Sequence, residues 1–146
     1  VPSRFVLLAA FLVVVLTGCI THGRLASRTE KRTDETAARV AAENWLRLLD
    51  AGDFEEAFEW EAQDFRLTRT QAQFVRSMQA RRTPFGHALS RTVIGAASIH
   101  KLVGLPDGDY ESIIFKTAFE KKPATAERVI LVRQSIGWRV IDYRIY

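Results

Sequence analysis

The residues able to carry chemistry are few and lie far apart. Cys19 is the one thiol of the chain, and it stands directly after Leu16-Thr17-Gly18. It can form no disulfide within the chain, and an odd thiol calls for a role of its own. His22, His87 and His100 show no ligand spacing, so neither a zinc site nor any other metal or cofactor is expected. No Gly-rich phosphate loop precedes a helix, and no Gly-x-Ser-x-Gly elbow occurs. Asp107 and Asp109 flank Gly108 in a faint echo of a calcium loop, but the further oxygen ligands and the distal Glu are missing. Pro106-Asp107-Gly108-Asp109 reads instead as a turn between strands. Residues 51–65 hold Asp53, Glu55, Glu56, Glu59, Glu61 and Asp64 without a base, and residues 66–91 hold Arg66, Arg69, Arg76, Arg81, Arg82 and Arg91 without an acid. Adjacent helices of opposite sign cross-pair at their solvated edges, each exposed pair giving about 0.2–1 kcal/mol. The sharper alternative is an arginine face toward anionic headgroups or cell-wall polymer.

The thiol is explained by what precedes it. Arg4 is followed by the apolar run FVLLAAFLVVVL. Counted on through Ile20, a helix here rises roughly 24 Å, short of the ~30 Å hydrocarbon core. A basic start, a short apolar stretch and small residues make a secretory signal. Leu16-Thr17-Gly18-Cys19 resembles the lipobox of bacterial lipoprotein precursors at all four positions. The resemblance implies diacylglycerol on the Cys19 sulfur, cleavage between Gly18 and Cys19, and acylation of the new amino terminus. Two or three chains would hold the protein at a bilayer, since one chain gives only marginal binding. Ile20, where inner-membrane lipoproteins of many Gram-negative bacteria have Asp, implies the periplasmic face of the outer membrane. Val1 is read as a GTG start.

Three segments follow: a signal over 1–18, a lipidated tether over 19–35, and one α+β domain over 36–146. The tether is polar and mixed in charge, without helical or alternating periodicity, though the next helix can extend backwards into part of it. The net charge of +4 is too small for a nucleic-acid binder, and a hydrophobic content of 47 % can build a core without disulfides. Ala37, Ala41, Trp45 and Leu48 predict a helix over 36–49, capped by Thr33 or Asp34 and ended by Ala51-Gly52. Phe54, Ala57, Phe58, Ala62 and Phe65 predict a second over 53–62, with Trp60 off its stripe. Thr70 caps a third through Arg82, with Phe74, Val75 and Met78 inward. Strands follow over 87–101, 110–119, 126–135 and 138–146, with a bulge at Gly95. Helices first and a four-stranded antiparallel meander after them make an α+β domain.

That order resembles the cystatin-like, nuclear-transport-factor-two-like cone, in which helices pack on a curved four-stranded antiparallel sheet. At motif level the chain resembles a bacterial family of secreted domains without assigned function. Trp45-Leu46 and Asp50-Ala51-Gly52-Asp53-Phe54 carry the likeness first, then Arg82-Thr83-Pro84-Phe85-Gly86 with Ser90-Arg91 and Pro106-Asp107-Gly108-Asp109-Tyr110. Phe115-Lys116-Thr117-Ala118-Phe119 with Lys122, Glu127-Arg128-Val129 and Trp138-Arg139-Val140 with Tyr143 complete it. The resemblance implies a fold and no catalytic residues.

Strict alternation on the last strand puts Trp138, Val140, Asp142, Arg144 and Tyr146 on one face and Arg139, Ile141, Tyr143 and Ile145 on the other. Trp60, Trp138 and Asp142 are the candidates for pocket or partner contact. The expected role is binding or assembly, holding an envelope protein, a glycan or a small hydrophobic ligand near the membrane. The alternative is a pocket enzyme with Asp142 or a histidine as general base, Arg144 arguing for simple pairing instead.

Overall fold

The computed structural model describes the backbone of residues 14–146 and the side chains from residue 27 onward. Residues 1–13, the start of the segment read as a signal, and the surroundings of Gly18, Cys19 and His22 lie outside the described residues. Two compact units divide between Asp34 and Glu35. In the first, the helix α1 (Val14–Ala51) is already formed, so the segment read as a tether is helical as the next helix extends backwards, and it needs no cap at Thr33 or Asp34. Its mixed charges carry no apolar period, yet they contain no Gly or Pro beyond Gly23 to break a helix once one is growing. Among the described residues no helix is long and apolar enough to cross a membrane.

In the second unit α1 buries Ala38, Ala42, Trp45, Leu46 and Leu49, whereas Ala37 is exposed and Ala41 and Leu48 are only half-buried. The stripe is thus rotated by one residue from the expected one. Alanines at 37, 38, 41 and 42 fit either stripe, and packing chose between them. The helix ends as expected at Gly52, whose φ of +83° a glycine adopts at least cost. The Asp53 amide donates to the Leu48 carbonyl (2.9 Å) and the Gly52 amide to that of Leu49 (3.3 Å), the two bonds of a Schellman ending.

The second helix, α2 (Phe54–Glu59), is shorter than its apolar period suggests, and α3 (Gln63–Arg66) is separate. Between them Trp60–Ala62 leaves the helix to line the edge of the last strand. The Val140 amide donates to the Trp60 carbonyl (3.1 Å) and the Ala62 amide to that of Val140 (2.8 Å). An edge strand with free amides outcompetes one more helical turn. The next helix, α4 (Gln71–Arg82), begins with a full capping box between Thr70 and Gln73 and buries Phe74 and Met78. A short 3-10 turn, Thr83–Phe85, leads to Gly86. There φ is +75°, and a Cβ would come within 2.7 Å of the Glu120 carboxylate, so only glycine fits.

The strands β1 (Ala88–Ile99), β2 (Tyr110–Phe119), β3 (Thr125–Gln134) and β4 (Gly137–Ile145) form one open antiparallel sheet in the order β1-β2-β3-β4. Residues 38–49 of α1, with α2 and α4, pack on one face, and α3 sets Phe65 against the other, which makes the α+β domain expected. Asp107–Asp109 closes not a tight hairpin but a loop over 100–109, in which the Tyr110 hydroxyl donates to the Pro106 carbonyl (2.7 Å). On β1 the register skips Ile94, so the bulge beside Gly95 is present, and a second skip passes Leu89. Both unpaired residues are exposed.

A third bulge overturns the expected alternation on β4. Leu131 pairs with Val140 and Ile130 with Asp142, leaving Ile141 unmatched. The face therefore switches there. Trp138 and Val140 before the bulge and Tyr143 and Ile145 after it all turn to the helices, where they join Trp45, Phe74, Ile113, Phe115 and Val129. Asp142 and Arg144 turn to the opposite face. Ile141 joins Ala62, Tyr110 and Ile130 in a smaller cluster there.

Candidate functional site

At one end of the core every apolar stripe finishes in a charged or polar side chain. Along α4 the buried positions step Phe74, Met78, Arg82, and along α1 the face of Ala42 and Leu46 reaches Asp50. On the strands, Glu127 continues the inward series of Leu131 and Val129, and Thr117 that of Ile113 and Phe115. Arg91 pairs across the sheet with Thr117. Tyr143 arrives through the bulge.

These side chains form one network. The Glu127 carboxylate, fully buried, accepts from Arg82 Nη1 (2.9 Å), Arg91 Nε (2.8 Å), the Tyr143 hydroxyl (2.6 Å) and the Thr117 hydroxyl (2.5 Å). Asp50, a quarter exposed, accepts from Arg91 Nη1 (2.7 Å) and Nη2 (3.1 Å) and from Arg82 Nη2. Arg82 Nη1 also donates to the Tyr143 oxygen (2.9 Å), and its guanidinium lies over the Phe119 ring at 5.3 Å. Two carboxylates and two guanidiniums cancel, so the buried layer carries no net charge. Burial by itself would lower the Arg91 pKa, but the bonds and charges of Asp50 and Glu127 outweigh it and hold the guanidinium charged well above its ordinary range. Burial raises the Tyr143 pKa, and the Glu127 charge raises it further, so the phenol keeps its proton.

Through Asp50 and Arg82 the network borders an open cleft of about 280 Å³ beside the end of α1. Leu49 and Phe54 give it apolar walls, Gln79 and Thr83 line the α4 side, and the exposed His87 stands on the rim. Of the six arginines read as a face for anionic surfaces, five are otherwise engaged, and Arg76 is exposed. Arg82 and Arg91 turn inward, Arg66 bonds Glu59 (2.5 Å), Arg69 bonds Glu61, and Arg81 donates to the Tyr143 carbonyl (3.0 Å).

Of the candidates from sequence, Trp138 is buried in the core. Trp60 is half-buried against that core, with the Arg139 guanidinium 5.3 Å above its ring. Asp142 accepts from Arg144 Nε (3.2 Å) and Arg128 Nη2 (3.4 Å) on the far side of the sheet, so the structure brings none of the three to the cleft. Sequence reasoning quoted Asp50, Thr117, Glu127 and Tyr143 inside motifs without a role, and it read Arg82 and Arg91 as part of a solvated or anion-facing set, whereas both join the network. A signal existed for Glu127. In Glu127-Arg128-Val129-Ile130-Leu131 it occupies the apolar parity of its strand, where a charge requires a partner. Among the described residues no group of three or more His, Cys, Asp and Glu could hold a metal ion.

The edge segment Trp60–Ala62 buries one further acid. Glu61 is 4 % exposed, bonds Arg69 through Oε1 and leaves Oε2 without a partner. Burial raises its pKa, against the opposing charges of Arg69 and Arg66. A raised acid binds more protons folded than unfolded, so its contribution to stability falls as pH rises through the window from about 4.5 to the raised value. In urea unfolding from pH 7 to pH 4, the stability of the wild type relative to Glu61→Gln is therefore expected to rise with acid. A difference independent of pH would refute this.

Helices packed on an open four-stranded antiparallel sheet, with a polar cleft at one end of the core, define the class of domain. The chain belongs to the family described as protein of unknown function (DUF4019), whose model matches residues 41–143. No curated protein matches it. It is similar to a crystal structure from Campylobacter jejuni, provisionally named an NTF2-like transpeptidase, with 17 % identity and a TM-score of 0.46 over 68 % of this chain and 92 % of that one.

Proposed function

We propose that the protein is a lipid-anchored component of the bacterial envelope whose α+β domain is a binding or assembly module, with its ligand, an envelope protein or a glycan, held at the cleft over Asp50 and Arg82. The observation that carries the reading of the site is the neutral, fully bonded layer beneath that cleft. Asp50 and Glu127 each accept from both guanidiniums, which ties α1, α4, β1 and β3 together beneath the cleft. The two loops that form the walls, 50–54 and 82–88, also hold two of the motif segments quoted for the family resemblance. Support for the anchor comes from Leu16-Thr17-Gly18-Cys19 alone. The outer membrane is favoured by Ile20. The enzyme alternative finds Asp142 shared by two arginines and His87 and His100 exposed, an arrangement suited to pairing and solvation.

Mass spectrometry of the mature amino terminus tests the anchor. A diacylglyceryl-modified, acylated Cys19 is expected, and Cys19→Ser is expected to move the protein out of the membrane fraction. An intact residue 1–18 segment on the mature protein would end that reading. The cleft is tested separately by a photo-reactive residue at Thr83 in intact cells. A discrete adduct that is lost when the photo-residue is moved to the exposed Ile136, far along the chain, is expected, and equal labelling from both positions would count against the cleft.

A further inference from the structure

The sheet face away from the main core carries a second depression, distinct from the cleft. It measures about 500 Å³, within the range of small-ligand sites. Its walls are Phe65 of α3, Ile99 of β1, Leu102 and Leu105 of the 100–109 loop, Ile130 of β3 and the bulged Ile141. One end is different in kind. Arg128 and Arg144 face each other directly across β3 and β4, a like-charge pair that costs stability unless an anion sits between them. Asp142 alone serves both, through contacts of 3.4 and 3.2 Å, which leaves one positive charge in excess. The buried Nε of Arg128 has no partner at all, an unmet donor that costs about 1–3 kcal/mol.

We propose that this groove binds an aliphatic monocarboxylate, its alkyl chain along Ile130 and Ile141 and its carboxylate at Arg128 and Arg144. The apolar walls exclude a second charge on the ligand, and the single excess positive charge calls for one negative charge. A neutral lipid would fill the walls yet leave Arg128 Nε unmet. The site depends neither on the cleft nor on acylation of Cys19, so it stands or falls apart from both.

The test uses the full chain in nanodiscs of zwitterionic lipid with 13C-labelled isoleucine methyl groups, titrated with sodium octanoate. Saturable shifts of the Ile130 and Ile141 methyls are expected, with octan-1-ol weaker by about tenfold, the worth of one charge-assisted contact. Arg128→Met should weaken octanoate about tenfold and leave octanol unchanged. Should that variant misfold, Arg144→Gln, on a side chain 60 % exposed, reads the same dependence with a smaller loss. Ile130→Trp should abolish both ligands by filling the groove. Non-saturating shifts, equal affinity for octanol, or arginine variants without effect would overturn the proposal. So would an apolar peptide with a free carboxyl terminus that saturates the site where octanoate does not.

Discussion

Glu127→Ala is expected to destabilise the domain by about 3–5 kcal/mol, the usual cost of removing one partner from a buried ion network. The side chain is fully buried and accepts four bonds. Its loss leaves Arg82, 6 % exposed, and Arg91 sharing only Asp50, with one guanidinium charge uncompensated in the core. The Tyr143 hydroxyl and Thr117 lose acceptors as well. A domain of this size has about 5–15 kcal/mol in all, so the variant should unfold at far lower urea, read by tryptophan fluorescence. Glu127→Gln keeps the shape and two of the contacts but not the charge, and should lose somewhat less. The double variant Glu127→Met with Arg82→Met restores neutrality, since one carboxylate and one guanidinium remain. It should be more stable than the sum of the two single changes predicts, with a coupling of roughly 1–3 kcal/mol. Strict additivity would mean that the network is decoration on an independently stable core.

Trp45→Ala should cost a similar amount, about 3–5 kcal/mol, by a different mechanism. Trp45 has no exposed surface, and its ring meets Tyr143 edge-on at 5.3 Å. Its Nε1 donates to the Ala57 carbonyl (2.9 Å), tying α1 to α2. Truncation opens a cavity in the core and removes one of the two bonds that the Ala57 carbonyl accepts, the other coming from the Trp60 amide (3.2 Å). Trp45→Phe isolates the second effect, because it retains most of the volume and loses the donor. A cost of about 0.5–1.5 kcal/mol is expected for it, the net worth of one hydrogen bond, since the Trp60 amide still satisfies the carbonyl. Calorimetric unfolding of the two variants separates the terms, and equal losses for Ala and Phe would show that the hydrogen bond dominates over volume.

Much of the domain was legible because its signals are local. Thr70 with Gln73, Gly52 after Ala51, and the small residues around Gly95 act within a few positions of themselves, and each produced the ending, cap or bulge expected. The four strands and their neighbour pairing followed from short links and period-two patterning. The misses have a common cause. The α1 stripe was off by one residue because alanine fits two adjacent faces, and only contact with Phe74, Val129 and Tyr143 distinguishes them. The α2 helix stopped early because β4, eighty residues later, offered its edge to Trp60–Ala62. The bulge at Ile141, which no local residue announces, reversed the faces of β4 and sent Asp142 away from the core.

From the order of residues alone came the α+β class, the four strands and the absence of a disulfide within the chain, since each rests on composition or on periodicity within one element, whereas Leu16-Thr17-Gly18-Cys19 carries a resemblance to a lipobox. The charged layer was beyond its reach. Asp50, Arg82, Arg91, Glu127 and Tyr143 lie up to 93 positions apart, on two helices and three strands. Only tertiary packing brings Glu127 within bonding distance of Arg82 and Arg91, because a buried charge is tolerable solely where its counter-charge arrives from another element.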